Sequence, residues 1–454
     1  AVILSGDFNP DHAIAKIDKA FSYMKEKSVP EYTFAPEDAI TSPVIKEVVG
    51  PDAESVTISF RLPSNQDKDA ALANLVGSIL TNGKAGLIDL NLVKKQKLLK
   101  ASAYSYLLVD HGLLYISASP SQGQSLEDVK KLVLNEIENL KKGNFDDDLI
   151  PSIVNNIKKH KIQQTESYGD RAYMLMDAFT GKLNWRDQVA YVNDLSKVTK
   201  KDIMDFANKY FGNNYVAVLK HKGERTDIEK IEKPTITPVE TNADKQSAFV
   251  KMINQMPSTP VAPVFLDYNK DLQRSKLGKA EVYYVQNKEN QLYRLNFRYK
   301  IGTLNDLKMG LAAQYIQFLG TDKKSAEQIS KEFYKIASSF RVHTADEYTF
   351  VTIEGLQENF EAAVTLYENL IQNLKADEQA LEALKARIQK YRSDVKANRN
   401  QIMQALTSYA LYGPKNKYNH ALSNAEIAGT TAGELVDRLK KLNDVEQIVI
   451  YYGP

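Results

Sequence analysis

Six histidines and no cysteine set the terms for any chemistry in this 454-residue chain. Without cysteine there is no disulfide, thiolate nucleophile, iron–sulfur cluster or cysteine-bound zinc. Zinc hydrolysis by histidine needs two imidazoles on one helix face with a carboxylate base beside them, which His-x-x-Glu-His delivers at i, i+4. None of the six meets that pattern. His12, His160 and His420 stand alone, His111 sits in a turn, His221 has Glu224 but Arg225 where a second ligand would stand, and His343 precedes Asp346-Glu347. They read as surface or hydrogen-bonded structural histidines.

Other chemistries fail on spacing. A serine nucleophile elbow needs Gly-x-Ser-x-Gly, but Gly123-Gln124-Ser125-Leu126-Glu127 lacks the second glycine, and Ser125 with Asp128 reads better as a helix cap. A phosphate loop needs four residues between its glycines; Gly77 to Gly83-Lys84 has five, and Ala85 cannot bind magnesium. Asp146-Asp147-Asp148 precedes Leu149, where a helix N-terminus favours negative charge. Lys158-Lys159-His160-Lys161 has no interleaved aromatic residues and reads as a solvated helix face rather than a nucleic-acid patch.

Such residues must be held by folded elements, and composition allows it: 43% hydrophobic and 26% charged residues suit a globular protein, and 454 residues suit two or three domains. A formal charge of +2 is too small for the field that nucleic-acid binding requires, so no nucleic-acid partner is expected. No window approaches the roughly 20 apolar residues of a membrane helix.

The elements repeat. Val56-Thr57-Ile58-Ser59-Phe60-Arg61-Leu62 matches Tyr293-Arg294-Leu295-Asn296-Phe297-Arg298-Tyr299 at 297 − 60 = 237; Glu138-Asn139-Leu140-Lys141 matches Gln372-Asn373-Leu374-Lys375 at 374 − 140 = 234; the strand Tyr215 to Leu219, running to Gly223, matches the last strand, running to Gly453, at 453 − 223 = 230. Inside the first copy, Leu72, Leu75, Val76, Ile79 and Leu80 predict a helix ended by Asn82-Gly83. Tyr104 to Val109 and Leu113 to Ser119 predict a strand pair around Asp110-His111-Gly112. Val129, Leu132, Val133, Ile137 and Leu140 predict a second helix, ended by Gly143 and echoed by Val364, Tyr367, Leu370, Ile371 and Leu374 after a strand pair around 341–355. The fold class this implies is α+β: two homologous units, each a mostly antiparallel sheet covered by a layer of helices, joined by an extended linker. The expected boundaries are 1–221, a proline-rich linker over 222–274, and 275–454. In the linker, Pro257-Ser258-Thr259-Pro260-Val261-Ala262-Pro263 cannot be helical, and Ala262-Pro263-Val264-Phe265-Leu266 is apolar enough to suggest a strap packed along the units. Ala1-Val2-Ile3-Leu4-Ser5-Gly6-Asp7 reads as a buried strand entering a turn, like Ile448 to Pro454, so a fragment of a longer polypeptide is expected.

Several strings resemble the pitrilysin/insulinase-type zinc peptidases, the family with the inverted zinc motif: Ala1-Val2-Ile3-Leu4-Ser5-Gly6-Asp7-Phe8-Asn9-Pro10, Ile79-Leu80-Thr81-Asn82-Gly83-Lys84, Glu166-Ser167-Tyr168-Gly169-Asp170-Arg171-Ala172, and above all Phe318-Leu319-Gly320-Thr321-Asp322-Lys323-Lys324-Ser325-Ala326-Glu327-Gln328-Ile329. The last looks like the segment that follows the family's His-x-x-Glu-His. In that register the two zinc histidines fall on Leu311 and Tyr315 and the catalytic glutamate on Gln314. Leu311 has no lone pair, the Tyr315 phenol has a pKa near 10, and an amide accepts no proton at neutral pH. Glu378 and Glu382 are the candidates for the family's downstream glutamate.

The resemblance implies the second and third of about four related units: the central, non-catalytic part of a zinc metalloendopeptidase that cleaves peptides enclosed in a chamber. This part would contribute chamber wall, hinge and substrate-binding surface, the first strand belonging to an upstream unit. The alternative is a catalytically dead scaffold or peptide-binding subunit of the same fold. The implied partners are peptide substrates, an upstream catalytic unit and a downstream fourth unit. Zn2+ would serve the parent enzyme, with no catalytic or metal residue in this chain and none bound to it. Absence of cysteine suits bacterial periplasm and cytoplasm alike, with the periplasm slightly ahead.

Overall fold

The computed structural model describes residues 1–30, 32–225, 229, 232–257, 260 and 262–454. Ser258, Thr259 and Val261 of the proline-rich string lie outside the described residues.

The first unit builds a five-stranded sheet from β1 (Val44–Gly50), β2 (Ser55–Leu62), β3 (Lys100–Leu107), β4 (Gly112–Ser119) and β5 (Tyr215–Lys222). The order is β1-β5-β2-β4-β3, antiparallel except for the β1–β5 pair. Strict alternation in β2 turns Val56, Ile58, Phe60 and Leu62 into the core and Thr57, Ser59 and Arg61 away from it. Ahead of the sheet lies α1 (Pro10–Phe21), capped by Asn9 and with no buried residue. The helical layer is α2 (Ala70–Leu80), α3 (Leu126–Lys141), α4 (Leu149–Glu166), α5 (Tyr168–Thr180), α6 (Trp185–Leu195) and α7 (Lys200–Tyr210). Between α2 and β3 runs a π-helical turn, Asp89–Lys94. Leu75, Ile79, Val133 and Ile203 close over Ile58 and Phe60 with almost no solvent contact.

The second unit repeats the plan. Its strands are β6 (Gln273–Leu277), β7 (Ala280–Gln286), β8 (Leu292–Tyr299), β9 (Ser339–Thr344), β10 (Thr349–Leu356) and β11 (Gln447–Gly453), in the order β6-β7-β11-β8-β10-β9. Dropping β6, this is the first sheet strand for strand, down to the single parallel pair, here β7–β11. After α8 (Ala248–Gln255), in the stretch between the sheets, the second unit's helices are α9 (Leu307–Tyr315), α10 (Ala326–Lys335), α11 (Phe360–Gln372), α12 (Glu378–Val395), α13 (Arg399–Tyr412), α14 (Asn424–Ala428) and α15 (Ala432–Lys440). Phe60 faces Leu114 and Tyr215; Phe297 faces Val351 and Val449. The register therefore gives 351 − 114 = 237, as at the first strand, and 449 − 215 = 234 at the closing strand. The value of 230 read from the glycines is corrected, because β5 runs three residues beyond Leu219, the counterpart of Gly453, to pair with the far end of β1.

Two further expectations are overturned. Residues 1–5 form no strand, and Val2 and Leu4 are about half exposed; a strand exists through its ladder, and among the described residues none pairs there. The apolar string of the linker does not pack either: Val264, Phe265 and Leu266 are 99%, 82% and 71% exposed. Prolines fix the backbone but supply no donor to tie it to a neighbouring surface. No helix among the described residues is long and apolar enough to cross a membrane.

The units touch along one seam. Helix α10 lies across α4 and the π-helical turn, burying Tyr334 in the first unit's core, while Leu292, Ala337 and Leu356 cluster against Ile162. Asn156 donates to the Tyr334 carbonyl at 2.8 Å and Ser330 to the Lys84 carbonyl at 2.8 Å.

Candidate functional site

Helix α9 starts where the Asp306 carboxylate accepts the Lys308 N–H at 2.9 Å. Its apolar side, Met309, Leu311, Ala312 and Tyr315, is buried against the second sheet and α15. Leu311 is a core residue, 4% exposed. Tyr315 is fully buried, and its hydroxyl donates to the Asp377 carbonyl at 2.6 Å and accepts the Asp377 N–H at 2.9 Å. Burial pushes this phenol up to about 12, so it stays protonated and locks α9 to the start of α12. Gln314 points the other way, its amide donating to the Gly310 carbonyl of its own helix at 3.3 Å.

The exposed side of α9 borders a groove of about 900 Å³ between the units. Gln314 and Gln317 stand on one wall with Leu384, Arg387, Ile388 and Tyr391 of α12, and the β1–β2 turn with Ser117 and Ser119 of β4 forms the other. The same lining carries the guanidiniums of Arg387 and Arg392, the Lys100 ammonium and the carboxylates of Asp52, Glu54 and Asp394, so amides, hydroxyls and both signs of charge surround an aliphatic floor, a mixture that suits binding of polypeptide. Neither carboxylate candidate reaches it: Glu378 accepts the Ala432 N–H at the start of α15 at 2.9 Å, and Glu382 pairs with Lys385 at 2.7 Å. Among the described residues no group of three or more His, Asp or Glu side chains could hold a metal ion. A zinc ion does not fit at Leu311, Gln314 and Tyr315: one is hydrocarbon, one an amide already bonded, one a neutral phenol with both oxygen functions taken.

The histidines are scattered: His221 meets Glu47 at 3.1 Å, His420 the Thr303 carbonyl at 3.2 Å, and His343 stacks on Phe350. The Gly83-Lys84 loop is explained by Asp89, whose Oδ2 accepts the N–H groups of Asn82, Gly83 and Gly86 at 2.7, 2.8 and 3.2 Å, so a protein carboxylate fills the place a phosphate would take. A Cβ on Gly86 would stand 2.6 Å from the Leu80 carbonyl and 2.8 Å from that carboxylate, so only glycine closes the turn.

Sequence reasoning missed two charged features of the seam. Asp146 and Asp148 do not serve the helix dipole alone: they pair with Lys331 and Lys335 of α10 at 2.5 Å, and Asp147 with Lys200 at 2.8 Å. Lys159 is not on a solvated face but 5% exposed, because α10 covers that side of α4. A lysine flanked by charges carries no periodic signal of burial.

Two profiles of one peptidase family match this chain: the Peptidase M16 inactive domain over residues 1–157 and Insulinase (Peptidase family M16) over residues 310–424. The chain is similar to the zinc protease PqqE of Helicobacter pylori (strain ATCC 700392 / 26695), 23% identical over 215 residues, 46% of this chain and 48% of that protein. It spans about half the length of that relative. Among solved structures it resembles pitrilysin, with a TM-score of 0.51 and 15% identity over 98% of this chain and 50% of that one. A protease from Helicobacter pylori gives a TM-score of 0.45 and 22% identity over 48% and 54% of the two chains.

Proposed function

This chain belongs to the insulinase-type peptidases of family M16, and on that premise we propose that it is the non-catalytic part of a longer zinc metalloendopeptidase, supplying chamber wall, hinge and a peptide-binding surface. One observation carries the reading. The three positions on which the family's zinc motif falls are Leu311, Gln314 and Tyr315, and the two that would be ligands are tied into the core and to the Asp377 backbone. The helix is kept as a packing element while its chemistry is gone. In this reading the groove beside Gln314 holds an extended peptide through its amides and the Arg387 guanidinium, and the zinc-bearing unit lies elsewhere on the parent polypeptide.

The test is metal analysis and peptide hydrolysis on the purified chain. We expect less than stoichiometric zinc and no chelator-sensitive hydrolysis. Tight one-to-one zinc with hydrolysis abolished by chelator overturns the inactivity. A parent polypeptide with no His-x-x-Glu-His anywhere replaces the enzyme by a scaffold of the same fold.

A further inference from the structure

Beside the α10–α4 contact the seam opens into a smaller cleft of about 270 Å³. Three cations border it, each from a different element: Lys84 from the loop after α2, Lys94 from the end of the π-helical turn, and Arg341 from the edge strand β9. We propose that this cleft is a binding site for a small, multiply charged oxyanion of the phosphate class.

The first support is the missing counter-charge. Among the described residues no carboxylate lies within ion-pair distance of Lys84, Lys94, Arg341 or the nearby Lys159; Lys94 has only the Gln317 carbonyl. The acids that act on them electrostatically are engaged elsewhere. Asp89 is wrapped by backbone N–H groups, Glu354 pairs with Arg294 at 3.1 Å, and Glu327 is held by Ser325 at the start of α10. The rest of the same seam behaves differently: Lys331 and Lys335 each have an aspartate.

The second support is placement. The Lys84 backbone is clamped from both sides, since the loop's N–H groups bind Asp89 and its carbonyl accepts Ser330. A π-helical turn, a costly local geometry that recurs at functional sites, carries Lys94 to the cleft. Arg341 stands opposite Thr352 in a regular ladder. Positive charges gathered with no acid in ion-pair range destabilise the empty protein, and burial together with Lys84 holds Lys94 down to about 8. Such an arrangement persists where a ligand repays it. The cleft is too small for a stretch of polypeptide, and its two free cations, Lys84 and Arg341, remain open to solvent for an arriving ion.

Thermal unfolding and calorimetry with inorganic pyrophosphate at fixed ionic strength, on the whole chain, test the site. Pyrophosphate should raise the melting temperature saturably, and Lys84→Ala and Arg341→Ala should each weaken binding at least tenfold while raising the melting temperature of the ligand-free protein. Lys331→Ala, on the same seam, should bind as the parent does. Equal affinity in the variants, an effect reproduced by chloride at the same ionic strength, or a lower melting temperature in ligand-free Lys84→Ala and Arg341→Ala overturns the proposal. So does tighter binding of a tetraglutamate peptide than of pyrophosphate, which hands the cleft to a peptide's carboxylates.

Discussion

The two units share one strand plan and differ in how they finish its edges and fill its centre. In the second sheet the parallel strand β7 is covered by β6; in the first its counterpart β1 has no strand on its outer side among the described residues. Residues Val44, Ile45, Val48 and Val49 of β1 are about two-fifths exposed. At the centre, Phe60 is 1% exposed and packs on Phe211 and Tyr215 at 4.9 and 5.6 Å, while its register mate Phe297 is half-buried and stacks on Tyr299 at 6.3 Å. Topology was copied while packing was not, because a ladder depends on the backbone and a core depends on every side chain that meets in it.

The largest effect should separate the two phenylalanines. Phe60→Ala should cost about 3–5 kcal/mol, as for a fully enclosed aromatic side chain, and Phe297→Ala less than half as much, read by denaturant unfolding. Equal losses would mean that the centres are equivalent after all. Next, Tyr315→Phe should cost about 1–3 kcal/mol by leaving the Asp377 N–H and carbonyl unmet, with the loss appearing in the second unit's hydrogen-exchange protection. A loss spread evenly over both units would break the comparison.

Smaller again are the seam pairs. Lys331→Ala and Lys335→Ala should each cost about 0.2–1 kcal/mol, since both partners are partly exposed, and the loss should shrink in high salt. The unpaired side runs opposite in pH: Lys94 is held below its ordinary value, so the unfolded chain binds more protons between about pH 8 and the free lysine value, and this group adds stability as pH rises through that window. Lys94→Met should flatten that rise in a melting series. Smallest is the bare edge: Val49→Lys should slow aggregation while moving stability by less than about 0.5 kcal/mol, whereas loss of the β6 strand should speed it.

Local signals were readable where one face of an element meets one core. The apolar run ending at Leu80, the stripe from Val129 to Leu140 and the hairpin around His111-Gly112 appear in the structure within a few residues of their expected limits. The Ser125 cap formed as well, its hydroxyl accepting the Asp128 N–H at 3.1 Å. Errors fell where a partner decides. The apolar start of the chain and the string Val264 to Leu266 have the composition of packed segments and nothing to pack against. Within the candidate site, the resemblance pointed to the segment that forms α9, where Leu311, Gln314 and Tyr315 are by residue type poor zinc ligands. The groove beside Gln314 joins residues from Asp52 to Gln401 and had no sequence signal.

The class of fold, the duplication and the absence of a His-x-x-Glu-His string were legible in the sequence alone, since they follow from residue type, local periodicity and the recurrence of the same strings about 230 to 237 residues apart. Tertiary structure decided which charges are paired. Asp146 finds Lys331 across 331 − 146 = 185 residues, while Lys84, Lys94 and Arg341 border one cleft with no acid in ion-pair range among the described residues. Charge pairing depends on distances of a few ångströms between elements remote in the chain, and only the docking of α10 on α4 sets them.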